Sequence, residues 1–374
     1  MNFVRSLINT ENYCMWNKKY QPTCLDDIIG NRALIFALKA YLNNGLPNII
    51  LTGPNGSAKT TIANNLVREY LGDHYRVGCL HIDGAINRGK DTISDPEDKK
   101  SKSESTDTAS VMNFAKTKIT LPLGRCKIVV IYNFEHMTKE AQNALRRIIE
   151  LFAHNTRFIL ICNEMDSVIE PIQSRCVLLR TTSLTDNELK AAIYRVLDLR
   201  NPEDELSEKN PSEIVETEDG TEVETETIIS DEVIDTICLI SDGDIKKTIN
   251  YLQVISNAEQ PTLDTFYKIF NMPSIRSIKE IIYACQSKST HNQAYQVVKQ
   301  LILDGYNAND ILDILVKTLI RMDDIFLHTK ILYLRAISRC FYKTEIAPSV
   351  FHLFSLISIL GRISETGQYH EQLI

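Results

Sequence analysis

An apolar, largely β-branched run, Ile49-Ile50-Leu51-Thr52, ends in Gly53-Pro54-Asn55-Gly56-Ser57-Ala58 and continues as Lys59-Thr60-Thr61. Ile62, Leu66, Val67 and Tyr70 then fall at i, i+4, i+5 and i+8, one face of a helix. Strand, glycine-bearing loop and helix in that order are what a phosphate-binding loop requires. Backbone N–H groups wrap the phosphates at the helix N-terminus, the lysine reaches the outer phosphates, and the threonine hydroxyl ligates Mg²⁺. The spacing matches G-x-x-x-x-G-K-[ST] except at Ala58, which stands where the pattern has glycine. A methyl group there is mild if the backbone is right-handed and serious if φ is positive.

The segments around this loop read as a parallel α/β layer. His81-Ile82-Asp83 ends a second strand, and Lys127 to Ile131 forms a third, followed by Tyr132-Asn133-Phe134-Glu135. Thr138 caps a helix that turns Ala141, Leu145, Ile148, Ile149 and Phe152 inward. Phe158 to Cys162 is a fourth strand with Asn163 at its end, and Val177-Leu178-Leu179 a fifth. Strands alternating with helices imply a sheet covered on both faces, with ligands at the strands' C-terminal ends. Upstream, an aromatic-basic arm from Trp16 to Pro22 precedes a short helix closed by Gly30 and a second helix over about 33–43. Beyond Leu184 the pattern is helical only: about 186–199, 231–241, a helix begun by Gly243-Asp244, and helices from Leu263 to about Leu360. Three domains are expected: 1–182, 183–258 and 259–374.

Two polar inserts interrupt this plan, at about 95–110 and 201–228. The second matters for charge. The chain of 374 residues carries −7 overall, which argues against a polyanion partner. Residues 203–226, however, hold eleven acids and one lysine, a segment charge of −10, so the rest of the chain carries +3. That insert reads as a solvated loop, with partner docking the minority reading. Nine cysteines without a C-x-x-C pair fit reduced thiols in an intracellular protein and speak against zinc. No apolar run reaches the roughly 18 residues of a membrane span, so no membrane partner is expected.

The arm Trp16-x-x-Lys19-Tyr20-x-Pro22, the loop Gly53 to Thr61, Ala144-Leu145-Arg146-Arg147, Cys162-Asn163, Glu170-Pro171-Ile172-Gln173-Ser174-Arg175-Cys176 and Gly243-Asp244 occur in one order. In that order and spacing the chain resembles the small subunits of replication factor C, the AAA+ sliding-clamp loader. The resemblance covers about 16–253 with good motifs and the C-terminal helices more weakly. It implies an AAA+ domain, a helical lid and an all-α collar, with ATP and Mg²⁺ as cofactors. The partners it implies are the other subunits of a hetero-oligomeric arc, a pentamer, together with a PCNA-type sliding clamp and primer–template DNA. It places the chain inside the cell: in the nucleus of a cellular eukaryote, or at the replication site of a large DNA virus.

Residue by residue, the resemblance makes Gly53, Pro54, Asn55, Gly56, Ser57, Ala58, Lys59, Thr60 and Thr61 the phosphate loop, with Thr60 on Mg²⁺. Tyr20 and Lys246 join them on the nucleotide, Lys246 where the family has a sensing arginine; lysine keeps the charge without the bidentate fork. Asn163 becomes the sensor of the attacking water, and Arg175 a finger reaching a neighbour's γ-phosphate, with an internal salt bridge as its alternative. Arg88 and Lys90 become phosphate contacts to DNA, or else a solvated basic turn. Arg146 and Arg147 would lie between subunits, or be ordinary solvated helix charges. The clamp is expected near the helix and loop after Arg88.

One departure alters the expected activity. Where the family reads Asp-Glu-Ala-Asp, this chain has Tyr132, Asn133, Phe134 and Glu135. A phenol titrating near 10 neither holds Mg²⁺ nor polarises water, and an amide takes no proton. Glu135, two residues further on, is expected to point out of the pocket. The chain is therefore expected to bind ATP and hydrolyse it poorly itself. The competing readings are an autonomous AAA+ motor on DNA, of branch-migration or initiator type, and a structural subunit without nucleotide.

Overall fold

The computed structural model describes residues 15–89, 111–119, 121–122, 124–200, 229–258, 260–286, 290–347 and 349–366. Lys90 and both polar inserts lie outside them. The chain divides into two compact units, Met1–Val215 with Ser241–Gln253, and Glu216–Ile240 with Val254–Ile374.

The first unit is built on five parallel strands, β1 (Ile49–Thr52), β2 (Cys79–Asp83), β3 (Lys127–Tyr132), β4 (Thr156–Cys162) and β5 (Val177–Arg180). Their order is β2-β3-β4-β1-β5. Strand β1 sends its chain to one edge and its neighbour β4 sends its chain to the other. This is the switch point where ligands enter at the C-terminal ends of a parallel sheet. Alternation along the strands feeds two cores. Ile49, Leu51, Val130 and Ile161 pack under α2 (Arg32–Asn44) and α3 (Lys59–Leu71). Ile50, Val129, Phe158 and Leu160 pack with Leu145 and Ile148 of α6 (Lys139–Leu151). Thr138 caps α6 as its spacing predicts, its hydroxyl accepting from the Ala141 amide at 3.2 Å.

Further helices complete the unit: α1 (Trp16–Lys19), α4 (Tyr75–Gly78), α5 (Val111–Lys116), α7 (Glu170–Gln173), α8 (Asp186–Arg200) and α10 (Ile245–Ser256), whose residues through Gln253 belong here. No helix forms between Leu25 and Gly30, contrary to the expectation for that segment. Leu25 and Ile28 are buried on successive turns instead, and the Leu25 amide is taken by Glu69 at 2.6 Å. Five residues after a proline cannot repay helix nucleation. Gly30 sits at φ +83°, where a Cβ would strike Leu184, so close approach accounts for that glycine.

The second unit is helical. It contains α9 (Asp231–Ser241, through Ile240) with α11 (Leu263–Phe270), α12 (Ile275–Gln286), α13 (His291–Leu303), α14 (Ala308–Arg321), α15 (Leu327–Ile346) and α16 (Phe351–Thr366). Ile282, Leu312, Tyr333 and Leu360, all fully buried, join α12, α14, α15 and α16 in one core. No helix among the described residues is long and apolar enough to cross a membrane.

Candidate nucleotide site

The loop between β1 and α3 takes its shape from close approaches. Gly53 has φ +150°, and a Cβ there would collide with Thr181 at the end of β5. Gly56 has φ +73° and lies against Asp244, whose carboxylate accepts from the Lys246 and Lys247 amides at 2.9 and 3.2 Å. Asp244 thus caps α10 and seats it on the loop, a role for which its position just before a helix is the sequence signal. Ala58 adopts φ +64°, ψ +18° at the head of α3. The serious case holds: a Cβ is forced into the left-handed region at a cost of roughly 1–2 kcal/mol.

Lys59 is buried, and its ammonium donates to the Gly53 and Pro54 carbonyls, both at 2.7 Å. Burial lowers its pKa below the usual lysine value, and Glu135 partly opposes that shift. Around it the pocket is lined by Asn55, Thr60, Asn133, Glu135, Asn163 and Lys246. Lys59, Thr60, Asn163 and Lys246 therefore converge, as their motifs imply.

The arm lies between α3 and α10. Asn65 donates to the Pro22 and Cys24 carbonyls, Gln21 donates to Thr61, and the Trp16 amide donates to Gln253 at 3.1 Å. Tyr20, edge-on to Trp16, borders a separate apolar cavity of about 390 Å³ with Pro22, Ile29, Val196 and Ile249.

The end of β3 differs from expectation in one respect. Asn133 takes the left-handed conformation, φ +49°, and the 3₁₀ turn that follows swings Glu135 inward. Its carboxylate accepts from the Asn163 side-chain amide at 2.8 Å and from the Asn163 backbone at 3.3 Å. The expectation that Glu135 points out of the pocket is wrong. A non-glycine φ reversal leaves no trace in periodicity.

Tyr132 turns the other way. Its hydroxyl donates to Asn64 Oδ1 at 2.6 Å, one helical turn past Thr60, and lies 2.7 Å from His81 Nδ1. Because the phenol's one proton goes to Asn64, His81 carries its proton on Nδ1 and accepts at Nε2 from the Tyr75 hydroxyl, 2.9 Å away. The His81 and Tyr132 rings stack with centroids 5.8 Å apart and planes 9° apart. Burial pushes the Tyr132 phenol above its ordinary range, and burial followed by Arg68 lowers the His81 pKa. Asn133 donates to Asp83 at 3.0 Å, and the same Asp83 oxygen accepts from the Ala85 amide. These two positions fit a divalent cation poorly: neither 132 nor 133 carries a carboxylate, Thr60 keeps its hydroxyl in the pocket lining, and the neighbouring carboxylates, Asp83 and Glu135, already accept from Asn133 and Asn163.

Arg175 lies at the other ends of the strands. It follows α7, and its carbonyl is 3.5 Å from the Asn48 amide before β1. Four residues of strand separate that end from the loop, about 13 Å at the usual rise. Its guanidinium donates to Pro171 O at 2.6 Å and pairs with Glu150 at 2.6 Å, remaining about a third exposed. The internal salt bridge weighed as its alternative is thus present in the single chain. Arg88 is exposed after β2, its Nε on the Ala85 carbonyl and its own carbonyl on the Thr138 amide. Arg147 is exposed, whereas Arg146 is half-buried with an Nε that has no hydrogen-bond partner.

A parallel sheet of this order, with a phosphate loop after its β1 and an asparagine ending the adjacent strand, defines a P-loop module of AAA+ type. Residues 33–185 match the profile of the DNA polymerase III delta subunit, and residues 273–344 that of the replication factor C C-terminal domain. The chain is 32% identical over 362 residues to a probable replication factor C subunit 2 of Dictyostelium discoideum, covering 95% of this chain and 93% of that one. It is 28% identical to replication factor C subunit 4 of Schizosaccharomyces pombe over 96% and 93% of the two chains. With the replication factor C small subunit of Aeropyrum pernix the identity is 29%, over 79% of each. Among solved structures, the Thermotoga maritima RuvB Holliday junction branch migration motor aligns with a TM-score of 0.48 at 17% identity, over 70% of this chain and 78% of that one. The chain belongs to the replication factor C small-subunit family.

Proposed function

We propose that this chain is a subunit of a clamp loader, binding ATP at its phosphate loop, turning it over poorly, and lending Arg175 to a neighbour's site. Family membership supports the loader role, and with it a hetero-oligomeric arc, a PCNA-type sliding clamp and primer–template DNA as partners at the site of DNA replication. Arg88, exposed beyond β2, is the DNA contact in this reading.

The observation that carries it is a contrast within one pocket. Lys59, Thr60 and Asn163 stand ready for a phosphate chain, while β3 ends in a phenol and an amide. Loss of a positioned general base costs about 10²–10⁴-fold in rate. The carboxylate in the pocket lining, Glu135, accepts from Asn163 at both oxygens. Arg175, a strand's length from its own loop, suits a site in trans better than its own.

The test pairs nucleotide binding by the isolated chain with ATP turnover alone and in complex with its partner subunits, repeated with Arg175→Ala. The expected result is binding, negligible solitary turnover, and turnover in the complex that Arg175→Ala removes. Robust turnover by the isolated chain, indifferent to Arg175→Ala, would instead favour an autonomous motor.

A further inference from the structure

The charges around the phosphate loop set what accompanies a nucleotide into it. A polyphosphate is a dense anion that must be neutralised by the protein or by a cation it brings along. The pocket lining supplies two ammonium groups, Lys59 and Lys246, against a single carboxylate, Glu135. The N-terminus of the thirteen-residue α3 adds its amides and its dipole. Two further acids lie outside the lining: Asp244 behind Gly56, with its carboxylate on the α10 amides, and Asp83, one oxygen of which accepts from Asn133 and from the Ala85 amide. Protein charge in the lining is therefore net positive.

A divalent cation needs hard oxygen ligands, directly or through bound water. At the end of β3 position 132 offers a phenol and position 133 an amide, so neither supplies an anionic oxygen. The Tyr132 oxygen gives its proton to Asn64 and takes one from His81. The Asn133 side-chain nitrogen donates to Asp83, and each Glu135 oxygen already accepts one hydrogen bond from Asn163. A carboxylate at position 132 would behave differently, repelling the phosphates until a cation stood between them. The phenol chain removes that repulsion together with the ligand.

We propose that this site retains its nucleotide without a divalent cation, with the Tyr132–His81–Asn64 chain occupying the place of a metal-facing acid. The metal-free nucleoside polyphosphate is then the ligand, and magnesium is a bystander to its retention. This rests on the nucleotide reading above.

The experiment titrates a fluorescent ADP analogue into the full chain, once with Mg²⁺ in excess and once with EDTA. The wild-type Kd is expected to agree within about threefold between the two buffers. Tyr132→Asp is expected to weaken binding about tenfold or more in EDTA, with Mg²⁺ restoring it. Tyr132→Phe, which keeps the ring and introduces no charge, is expected to stay indifferent to Mg²⁺ and covers the case in which the aspartate variant fails to fold. Lys59→Ala is expected to lose binding in both buffers, which ties the signal to this pocket. A wild-type Kd that rises about tenfold on chelation would overturn the inference and leave the nucleotide reading standing. So would equal metal dependence in Tyr132→Phe and Tyr132→Asp. No binding in either buffer would overturn both.

Discussion

At the scale of single residues, the site carries strain where its sequence departs from pattern. Ala58 holds φ +64° because the loop must turn into α3 with its amides converging, and a methyl group does not change that requirement. Glycine at this position removes the Cβ conflict but enlarges the unfolded ensemble, so the two effects oppose one another. The left-handed penalty is the larger. Ala58→Gly is therefore expected to raise unfolding free energy by about 0.5–1 kcal/mol in urea titrations. A fall in stability would mean that the loop relaxes to a right-handed Ala58. Lys127 shows the contrary case, a lysine buried at the start of a strand. Its ammonium gives three short hydrogen bonds to the Phe114, Ala115 and Thr117 carbonyls and so closes the C-terminal end of α5. A strand-initiating lysine reads as solvated until the helix end above it is seen.

Between elements, the structure departs from sequence reasoning mainly through contacts across distant segments. The five parallel strands along the chain, the Thr138 cap and the start of α10 after Gly243-Asp244 follow from local patterns, and the convergence of Lys59 with Asn163 from their places at the ends of strands. The inward Glu135 and the Tyr132 chain do not. Tyr132 meets His81 and Asn64 at separations of 51 and 68 residues, and only the parallel pairing of β2 with β3 and the course of α3 bring them together. That chain makes β2 and β3 jointly sensitive to acid. The folded pKa of His81 lies below its unfolded value near 6.5, because burial and then Arg68 disfavour the imidazolium. The unfolded chain therefore binds more protons between those two values, and stability rises with pH across that window. Its contribution is complete above the unfolded pKa and is lost as pH falls toward the folded one. Thermal unfolding measured from about pH 7 to about pH 5 is expected to show a steeper loss for wild type than for His81→Gln, which cannot titrate. Identical pH profiles would show that His81 is not held neutral.

At the scale of the whole molecule, the −7 total conceals a chain that is basic outside one acidic segment, so net charge alone is a poor guide to its partners. In the proposed loader role, function depends on a residue the isolated chain keeps occupied. Arg175 is bound to Glu150, and an arginine cannot hold that carboxylate and a neighbour's phosphate with the same fork. The pair is roughly two-fifths exposed, so its worth to stability is small, within about 1 kcal/mol. Under the proposed role its worth to the assembly lies in competition: each contact with Glu150 is one that Arg175 would surrender on docking. Glu150→Gln removes the charge while keeping a hydrogen-bonding side chain. It is expected to leave unfolding free energy within about 1 kcal/mol of wild type and to raise ATP turnover of the assembled complex by about two- to fivefold. Turnover that falls instead would assign Glu150 the opposite role, holding the arginine at the angle from which it enters the neighbouring site.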